Sequence, residues 1–334
     1  MKACLEFAGP DRAPRDLWAL PYVGRFQREE LEAMQREFPM DIAGAQLRPG
    51  PDDSGVDPLA QPGEYTDEWG SVWRLAEAGV VGEVKMPALA EWSSLKGFEP
   101  PWHLIRNRDL PYLNDRCEEG TQFVLSGAAR PFERMQFLRG TESLFMDIAY
   151  DSPELHRLMG IVHEFCLEDV KWWCASQVDA VVLMDDWGAT KSLLISPETW
   201  RRLFKPLYQA YCELIHAAGK HVFFHTDGFT RPIIGDLIDV GVDAINCQLF
   251  TMDIEELGRE FKGKVTFWGE IDRQWVLPFG TPADVREAVA RVRRAFDDGQ
   301  GGVIAQSEWG KYNPTENIRA VYEAWGEETG GRPR

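Results

Sequence analysis

Long apolar runs are missing from this chain: nowhere do about 18 apolar residues follow one another, the length a membrane-crossing helix needs. The opening Met-Lys-Ala-Cys-Leu-Glu-Phe-Ala-Gly-Pro-Asp-Arg is too charged for a secretory h-region, so a cytoplasmic protein is expected. Positive charge is scarce, with 36 Lys and Arg against 54 Asp and Glu and a net charge of −18. Such a surface repels phosphate backbones and anionic lipid, which argues against nucleic acid or a membrane as partner. The six cysteines (Cys4, Cys117, Cys166, Cys174, Cys212, Cys247) lack the close pairing of a zinc ribbon or a secreted disulfide framework, and read mostly as buried thiols. No Gly-x-Gly-x-x-Gly follows the early strands, as a dinucleotide fold requires.

What is present is a rhythm. From about residue 120 onward, short β-branched or aromatic runs alternate with longer helical patterns, implying βα units and a parallel sheet. Candidate strands are Gln122 to Ser126, Ala180 to Met184, His221 to His225, Val242 to Asn246, Lys264 to Trp268 and Gly302 to Gln306. Two more are expected near Asp41 to Gln46 and His103 to Ile105, which would close a (β/α)8 TIM barrel with an N-terminal elaboration. Four helix starts share one grammar, a capping side chain, then proline, then an acid: Ser152-Pro153-Glu154, Ser196-Pro197-Glu198, Thr281-Pro282-Ala283-Asp284 and Asn313-Pro314-Thr315-Glu316. Helices are expected near Gln27 to Glu37 and over Pro206 to Ala218, an exposed loop over Gly50 to Glu64, and a frayed tail from Gly330 to Arg334. The expected organisation is one barrel domain over 1–334, with 1–100 as extension and first strands and 120–328 as βα repeats.

Ionisable residues cluster at the strand ends, where a parallel barrel gathers its active site. His225 and Asp227 share one face of a strand, because side chains alternate. A His so placed beside an Asp is a metal ligand or acid–base group, against the bland reading of a core histidine bonded to a carbonyl. Asp227 precedes Gly228 and could instead start a turn. Glu270 and Glu308 close later strands, with ion pairs to Arg273 or Lys220 and to Lys311 as their bland alternatives. Asp185 and Asp186 close another; adjacent positions face opposite ways, so one is expected in the site, where burial would make it a proton donor. Asn246 is a candidate substrate contact, and Cys247 beside it reads first as a buried thiol and second as a ligand. Trp187, Trp268 and Trp309 could wall the cavity, or simply fill a large core. His103, His156, His163 and His216 read as structural or exposed.

Several segments carry a resemblance: Leu194-Ile195-Ser196-Pro197-Glu198-Thr199-Trp200, Gly219 to Gly228, Gly241-Val242-Asp243-Ala244-Ile245-Asn246, Trp268-Gly269-Glu270-Ile271-Asp272, Leu277 to Pro282 and Asn313 to Ile318. In order and spacing, over roughly Gln177 to Trp325, the chain resembles the uroporphyrinogen decarboxylase superfamily, which includes corrinoid-linked methyltransferases and aryl O-demethylase components. The resemblance implies a (β/α)8 barrel. The decarboxylase branch carries Arg-Gln-Ala-Gly-Arg where this chain reads Leu20-Pro21-Tyr22-Val23-Gly24-Arg25-Phe26, which speaks against porphyrinogen decarboxylation. The methyltransferase branch binds zinc through His-x-Cys and a distant Cys, and the matching positions here are His225, Asp227 and, with a one-residue shift, Glu308, with Cys247 as an alternative ligand. Replacing two thiolates by carboxylates makes a harder, more Lewis-acidic site suited to an oxygen-bearing substrate.

The resulting expectation is a zinc-dependent methyltransferase moving a methyl group between a small methylated substrate, for example a methoxy-aromatic, and a corrinoid. No Asp-x-His-x-x-Gly motif occurs, so the corrinoid would ride on a separate partner protein. Related barrels are often homodimers. The competing expectation is a metal-free decarboxylase or hydrolase using paired carboxylates among Asp185, Asp186, Glu270 and Glu308.

Overall fold

Every strand-to-strand connection after residue 120 runs through helix, and the sheet that results is parallel throughout. The structure is a computed structural model that describes residues 1–49 and 57–327. Its strands are β1 (Arg15–Ala19), β2 (Ile42–Gly44), β3 (Gly63–Thr66), β4 (Val72–Leu75), β5 (Glu83–Met86), β6 (Phe123–Ala129), β7 (Ala180–Met184), β8 (His221–Thr226), β9 (Ala244–Cys247), β10 (Thr266–Trp268) and β11 (Val303–Trp309). Eight of them, in the order β1-β11-β10-β9-β8-β7-β6-β2, form a nearly closed (β/α)8 barrel surrounded by helices.

The seam between β1 and β2 hangs on Asp41. Its N–H donates to the Arg15 carbonyl at 2.9 Å, and its carboxylate accepts from the Arg15 N–H at 2.7 Å and from Arg12 Nη1 at 2.6 Å. Burial pushes this carboxyl up, but the Arg12 guanidinium and the Arg15 N–H more than offset it and hold Asp41 below its ordinary value.

Two apolar layers follow from strand alternation. Inside the barrel, Phe123, Leu125, Ala180, Val182, Phe223, Ala244, Trp268 and Ile304 pack together. The N-terminal helix Lys2–Leu5 plugs the end opposite the strands' C-termini: Cys4 and Leu5 join that inner cluster, and the Cys4 thiol donates to the Val303 carbonyl at 3.2 Å. Outside, helices cover the alternate residues. The longest, Pro153–Cys174, buries Leu155, Leu158, Val162, Phe165, Val170 and Trp173, each worth about 1.5–3 kcal/mol relative to exposure.

The N-terminal elaboration is an antiparallel sheet of β3, β4 and β5, fastened to helix Pro131–Arg139 by Ser71 Oγ donating to the Phe137 carbonyl at 2.9 Å. Three of the four expected helix starts are capped as read, by Ser152, Ser196 and Thr281, the last with a full capping box. The fourth departs from expectation: helix Thr315–Gly326 starts after Pro314, while Asn313 Oδ1 accepts from the Gly310 N–H at 2.6 Å and closes the preceding loop instead.

The expected strand at His103 to Ile105 is corrected to a helical turn, His103–Arg106, and the missing barrel strand is β1. A stretch as short as His103 to Ile105 has too few positions for periodicity to separate strand from helix. β1 escaped notice because its inward positions hold Asp16 and Trp18 rather than aliphatic residues. Of the expected loop over Gly50 to Glu64, positions 50–56 lie outside the described residues and Gly63–Glu64 open β3; the tail from Gly330 lies outside them too. Among the described residues no helix is long and apolar enough to cross a membrane.

Asp41→Ala should cost about 1–2 kcal/mol, mainly by leaving the Arg15 N–H without its acceptor. Urea unfolding checks this, and a midpoint equal to that of the wild type would remove Asp41 from the closure of the barrel.

Candidate metal centre at the barrel mouth

Strand parity decides which acids reach the mouth. On β8, Phe223 lies in the inner cluster, so His225 and, beyond the strand, Asp227 point the same way. On β7, Ala180 and Val182 point inward, so Asp186 does as well and Asp185 does not. Asp185 instead accepts the N–H groups of Phe132 (3.0 Å) and Glu133 (2.7 Å) and the Tyr208 hydroxyl (2.6 Å), serving the first turn of helix Pro131–Arg139. It is fully buried, and burial followed by the Glu133 charge pushes its carboxyl well up.

The loops after β7 and β8 touch because both are glycine at the crossing. The Gly188 N–H donates to the Asp227 carbonyl at 2.9 Å, and a Cβ on either Gly188 or Gly228 would collide with the other loop's backbone. This brings Asp186 against Asp227, whose N–H donates to Asp186 Oδ1 at 2.9 Å. His225 Nε2 then lies 3.6 Å from Asp186 Oδ1 and 3.7 Å from Asp227 Oδ1. Ligand atoms of all three residues fall within 4.8 Å of one another.

The other imidazole nitrogen fixes the ring. Asn246 Nδ2 donates to the Trp268 carbonyl at 2.5 Å, which leaves Asn246 Oδ1 as an acceptor 2.6 Å from His225 Nδ1. With the proton on Nδ1, the Nε2 lone pair faces the two carboxylates, the arrangement in which histidine binds metal. Asp227 Oδ1 is buried and has no hydrogen-bond partner among the described residues, although Asp227 Oδ2 is held by Arg273. A buried carboxylate oxygen without a donor is costly, and a cation beside it removes the cost. One imidazole nitrogen and two carboxylates are ordinary ligands for zinc or a similar divalent ion, so the donor set fits.

Arg273 gathers the other acids. Besides Asp227 it meets Glu308 Oε2 at 2.8 Å and Glu270 Oε1 at 3.6 Å. Burial pushes Glu270 well up, with the nearby Asp227 and Glu308 charges adding to the effect and Arg273 offsetting only part of it. Asp186 is raised too, first by burial and then by the charge on Asp227. Glu133, at the start of helix Pro131–Arg139, is pushed to about 7 by burial and by the Asp186 charge, and its buried Oε2 has no hydrogen-bond partner among the described residues, with Arg130 Nη1 at 3.9 Å its ion-pair contact.

Trp268 Nε1 donates to Asp16 Oδ2 at 2.7 Å and Trp18 Nε1 to the same oxygen at 2.9 Å. The Trp18 ring stands edge-on to Trp268 at 4.9 Å and 5.0 Å from the His225 ring, making an aromatic wall for the mouth. Trp187 and Trp309 sit in the outer layer between strands and helices; Trp187 stacks on Phe132 at 4.0 Å. Cys247 is in that layer as well, with its thiol raised by burial. Glu308 faces the mouth but contacts Arg273, not the His225 trio, while Lys311 pairs with Glu77. His156, His163 and His216 contact Asp151, Tyr211 and Asp243, away from the mouth. Sequence reasoning passed over Asp16, Trp18 and Glu133, and met Arg273 only as the bland partner of Glu270. The alternation of Asp16 and Trp18 ahead of Pro21 was the available signal for the first pair.

The family model for uroporphyrinogen decarboxylase (URO-D) matches residues 113–327. The chain belongs to that family. A methyltransferase from Methanosarcina mazei shares the fold, with a TM-score of 0.71 at 13% identity over 97% of this chain and 96% of that one. An endo-beta-1,4-xylanase from Gloeophyllum trabeum aligns with a TM-score of 0.46 at 9% identity over 96% and 98% of the two chains. A D-psicose 3-epimerase aligns at 0.42 and 10% identity over 69% and 80%. No curated protein sequence matches the chain.

Asp16 supplies a pH test of the inner wall of this family member. Burial raises its carboxyl to about 6, against two indole hydrogen bonds that lower it. The folded protein therefore keeps a proton that the unfolded chain loses near pH 4. Stability falls as pH rises through this window, on the order of 3 kcal/mol in all, and stays lower above it. Asp16→Asn should lack that loss, so its melting temperature should gain on the wild type between pH 4.5 and 7.5. Parallel melting curves at the two pH values would exclude the raised Asp16.

Proposed function

We propose that this chain is the methyltransferase component of a two-protein system. It moves a methyl group between a small methoxy-aromatic substrate and a corrinoid carried on a separate protein, at a divalent metal, zinc by its donor set. The observation that carries this reading is the unpartnered Asp227 Oδ1 lying 3.7 Å from a histidine nitrogen whose opposite side is tied to Asn246. The ligands would be His225 Nε2, Asp227 and Asp186; the geometry favours Asp186 over Glu308, which is engaged by Arg273. When bound, the metal supplies Lewis acidity to the ether oxygen and improves the aryloxide as a leaving group.

The remaining roles belong to side chains. Asn246 holds the His225 tautomer. Arg273 secures Asp227 Oδ2 so that Oδ1 stays directed at the centre. Trp18 and Trp268 give a flat substrate an apolar wall. Glu133, raised to about 7, would return a proton to the departing oxygen from its protonated form. The acidic chain disfavours phosphate-bearing partners, and the reading fits a cytoplasmic enzyme working with a soluble carrier.

One observation favours a second reading. The raised carboxyls of Glu133 and Glu270 beside further carboxylates are the arrangement that general acid–base chemistry uses, so a metal-free lyase or hydrolase remains the competitor.

Elemental analysis of the purified protein should find about one zinc per chain, lost in His225→Ala and in Asp186→Asn. Asn246→Ala should still load but bind zinc about 10–100-fold more weakly. Full loading in Asp186→Asn would move the third ligand to Glu308. Absence of metal from every preparation, including after zinc reloading, would abandon the methyltransferase reading in favour of the acid–base one.

A further inference from the structure

Asp186 has the least support of its own among the three candidate ligands. It lies beyond the end of β7, is half-buried, and among the described residues accepts one hydrogen bond, from the Asp227 N–H. The residues on either side of it, Asp185 and Trp187, are both fully buried and both point outward, by the alternation that sends Asp186 inward. Their side chains end on one atom. The Tyr208 hydroxyl donates to Asp185 Oδ2 at 2.6 Å and accepts from Trp187 Nε1 at 3.0 Å. Tyr208 is itself fully buried, on helix Lys205–Ala217, the second of the two helices that lead from β7 to β8.

The other two ligands are tied to the same pair of residues. The Asp185 N–H donates to the His225 carbonyl at 3.1 Å. The Trp187 N–H donates to Thr226 Oγ1 at 3.1 Å, and Thr226 stands between His225 and Asp227 in the chain. Packing alone does not account for the hydroxyl. The Tyr208 ring meets the Phe224 ring edge-on at 5.1 Å and stacks on Trp200 at 5.8 Å, contacts that a phenylalanine ring would keep. What the hydroxyl adds is direction, because a phenol that donates and accepts at once orients the carboxylate before Asp186 and the indole after it. Without it, Asp185 Oδ2 would retain the Phe132 N–H, and Trp187 Nε1 would have no partner among the described residues.

We propose that Tyr208 is a positioning residue for the metal centre: its hydroxyl fixes the course of 185–187 so that the Asp186 carboxylate stays within reach of His225 and Asp227. This rests on the metal reading above. It deepens that reading by naming a group outside the ligand set, on the far side of the strand wall, that sets the ligand geometry. The effect falls on Asp186 more than on His225, whose ring is held separately by Asn246.

Zinc affinity of the full-length protein, measured in competition with a chromophoric chelator, tests this, together with the visible absorption of the cobalt(II)-loaded form. Tyr208→Phe should bind zinc at least about tenfold more weakly than the wild type, the lower end of what loss of an outer hydrogen bond costs a metal site. Its cobalt(II) bands should change in position and intensity, because a carboxylate ligand has loosened. Tyr211→Phe is the control: the same change three residues along the helix, at a hydroxyl 2.8 Å from His163 Nδ1, should leave zinc affinity within about twofold. Trp187→Phe, which breaks one arm and leaves the hydroxyl on Asp185, should weaken zinc by a smaller factor, and it decides the matter if Tyr208→Phe does not fold. Unchanged zinc affinity in Tyr208→Phe, or in Trp187→Phe where that variant decides, overturns the proposal whatever the melting temperature does. An equal loss in Tyr211→Phe overturns it too, since loss of a buried hydroxyl would then act through general stability. No zinc bound by the wild type sinks the metal reading, and the proposal with it.

Discussion

The alternation of side chains along eight parallel strands is the constraint on which everything at the mouth depends. It sends Asp186 inward and Asp185 outward, Asn246 inward and Cys247 outward. Neighbouring residues in the chain thereby acquire different jobs. Asp185 finishes a helix and holds Tyr208, which in turn accepts from Trp187, so it belongs to the outer layer. Asp186, one bond further on, joins His225. A single-residue slip in β7 would exchange these roles and bury the wrong acid in each place.

Charge is the second constraint. Taking several carboxylates into a partly dry mouth is possible only where something offsets them, and Arg273 does so for three at once. Its guanidinium stays charged under all ordinary conditions, whereas a lysine would offer one point charge and no fork. Because Arg273 occupies Asp227 Oδ2 and Glu308, the oxygen left over is Asp227 Oδ1, directed at the imidazole. The arginine thus shapes the centre without joining it, and it separates Glu308 from the trio. The neutral state favoured for Glu270 by burial reduces the remaining repulsion.

The barrel was readable from β6 onward because each strand there is an apolar run closed by a polar residue, and each connection carries a helix start. His225 and Asp227 were readable for the same reason. The first half was readable only in part: the strand expected near Asp41 to Gln46 is β2, whereas β1 carries Asp16 and Trp18 on its inner face and so lacks the aliphatic pattern that marks a strand. The third member of the trio was hidden by a different cause. Sequence order suggested Glu308 by its match to a ligand position, but which acid meets His225 depends on the Gly188–Gly228 crossing, a contact between loops about forty positions apart in the chain. Glu133 and Tyr208 were unreadable in kind: one is an ordinary acid in a helix's first turn and the other an ordinary aromatic residue on a helix's buried face. Their interest comes from what surrounds them, not from any local pattern.

The same logic explains why the mouth is costly to keep. Gly269, Gly188 and Gly228 each give up a side chain's packing so that another group can approach, and the acids and the Gln306 amide give up hydration without a full set of partners. A core selected only for stability would fill these positions with aliphatic residues, as the inner cluster does one layer below. Single departures of this kind occur elsewhere in the molecule, but at the C-terminal ends of β7, β8, β10 and β11 several of them stand together. Local rules broken together, in one place and on one face, are the mark of a site shaped for something that binds there.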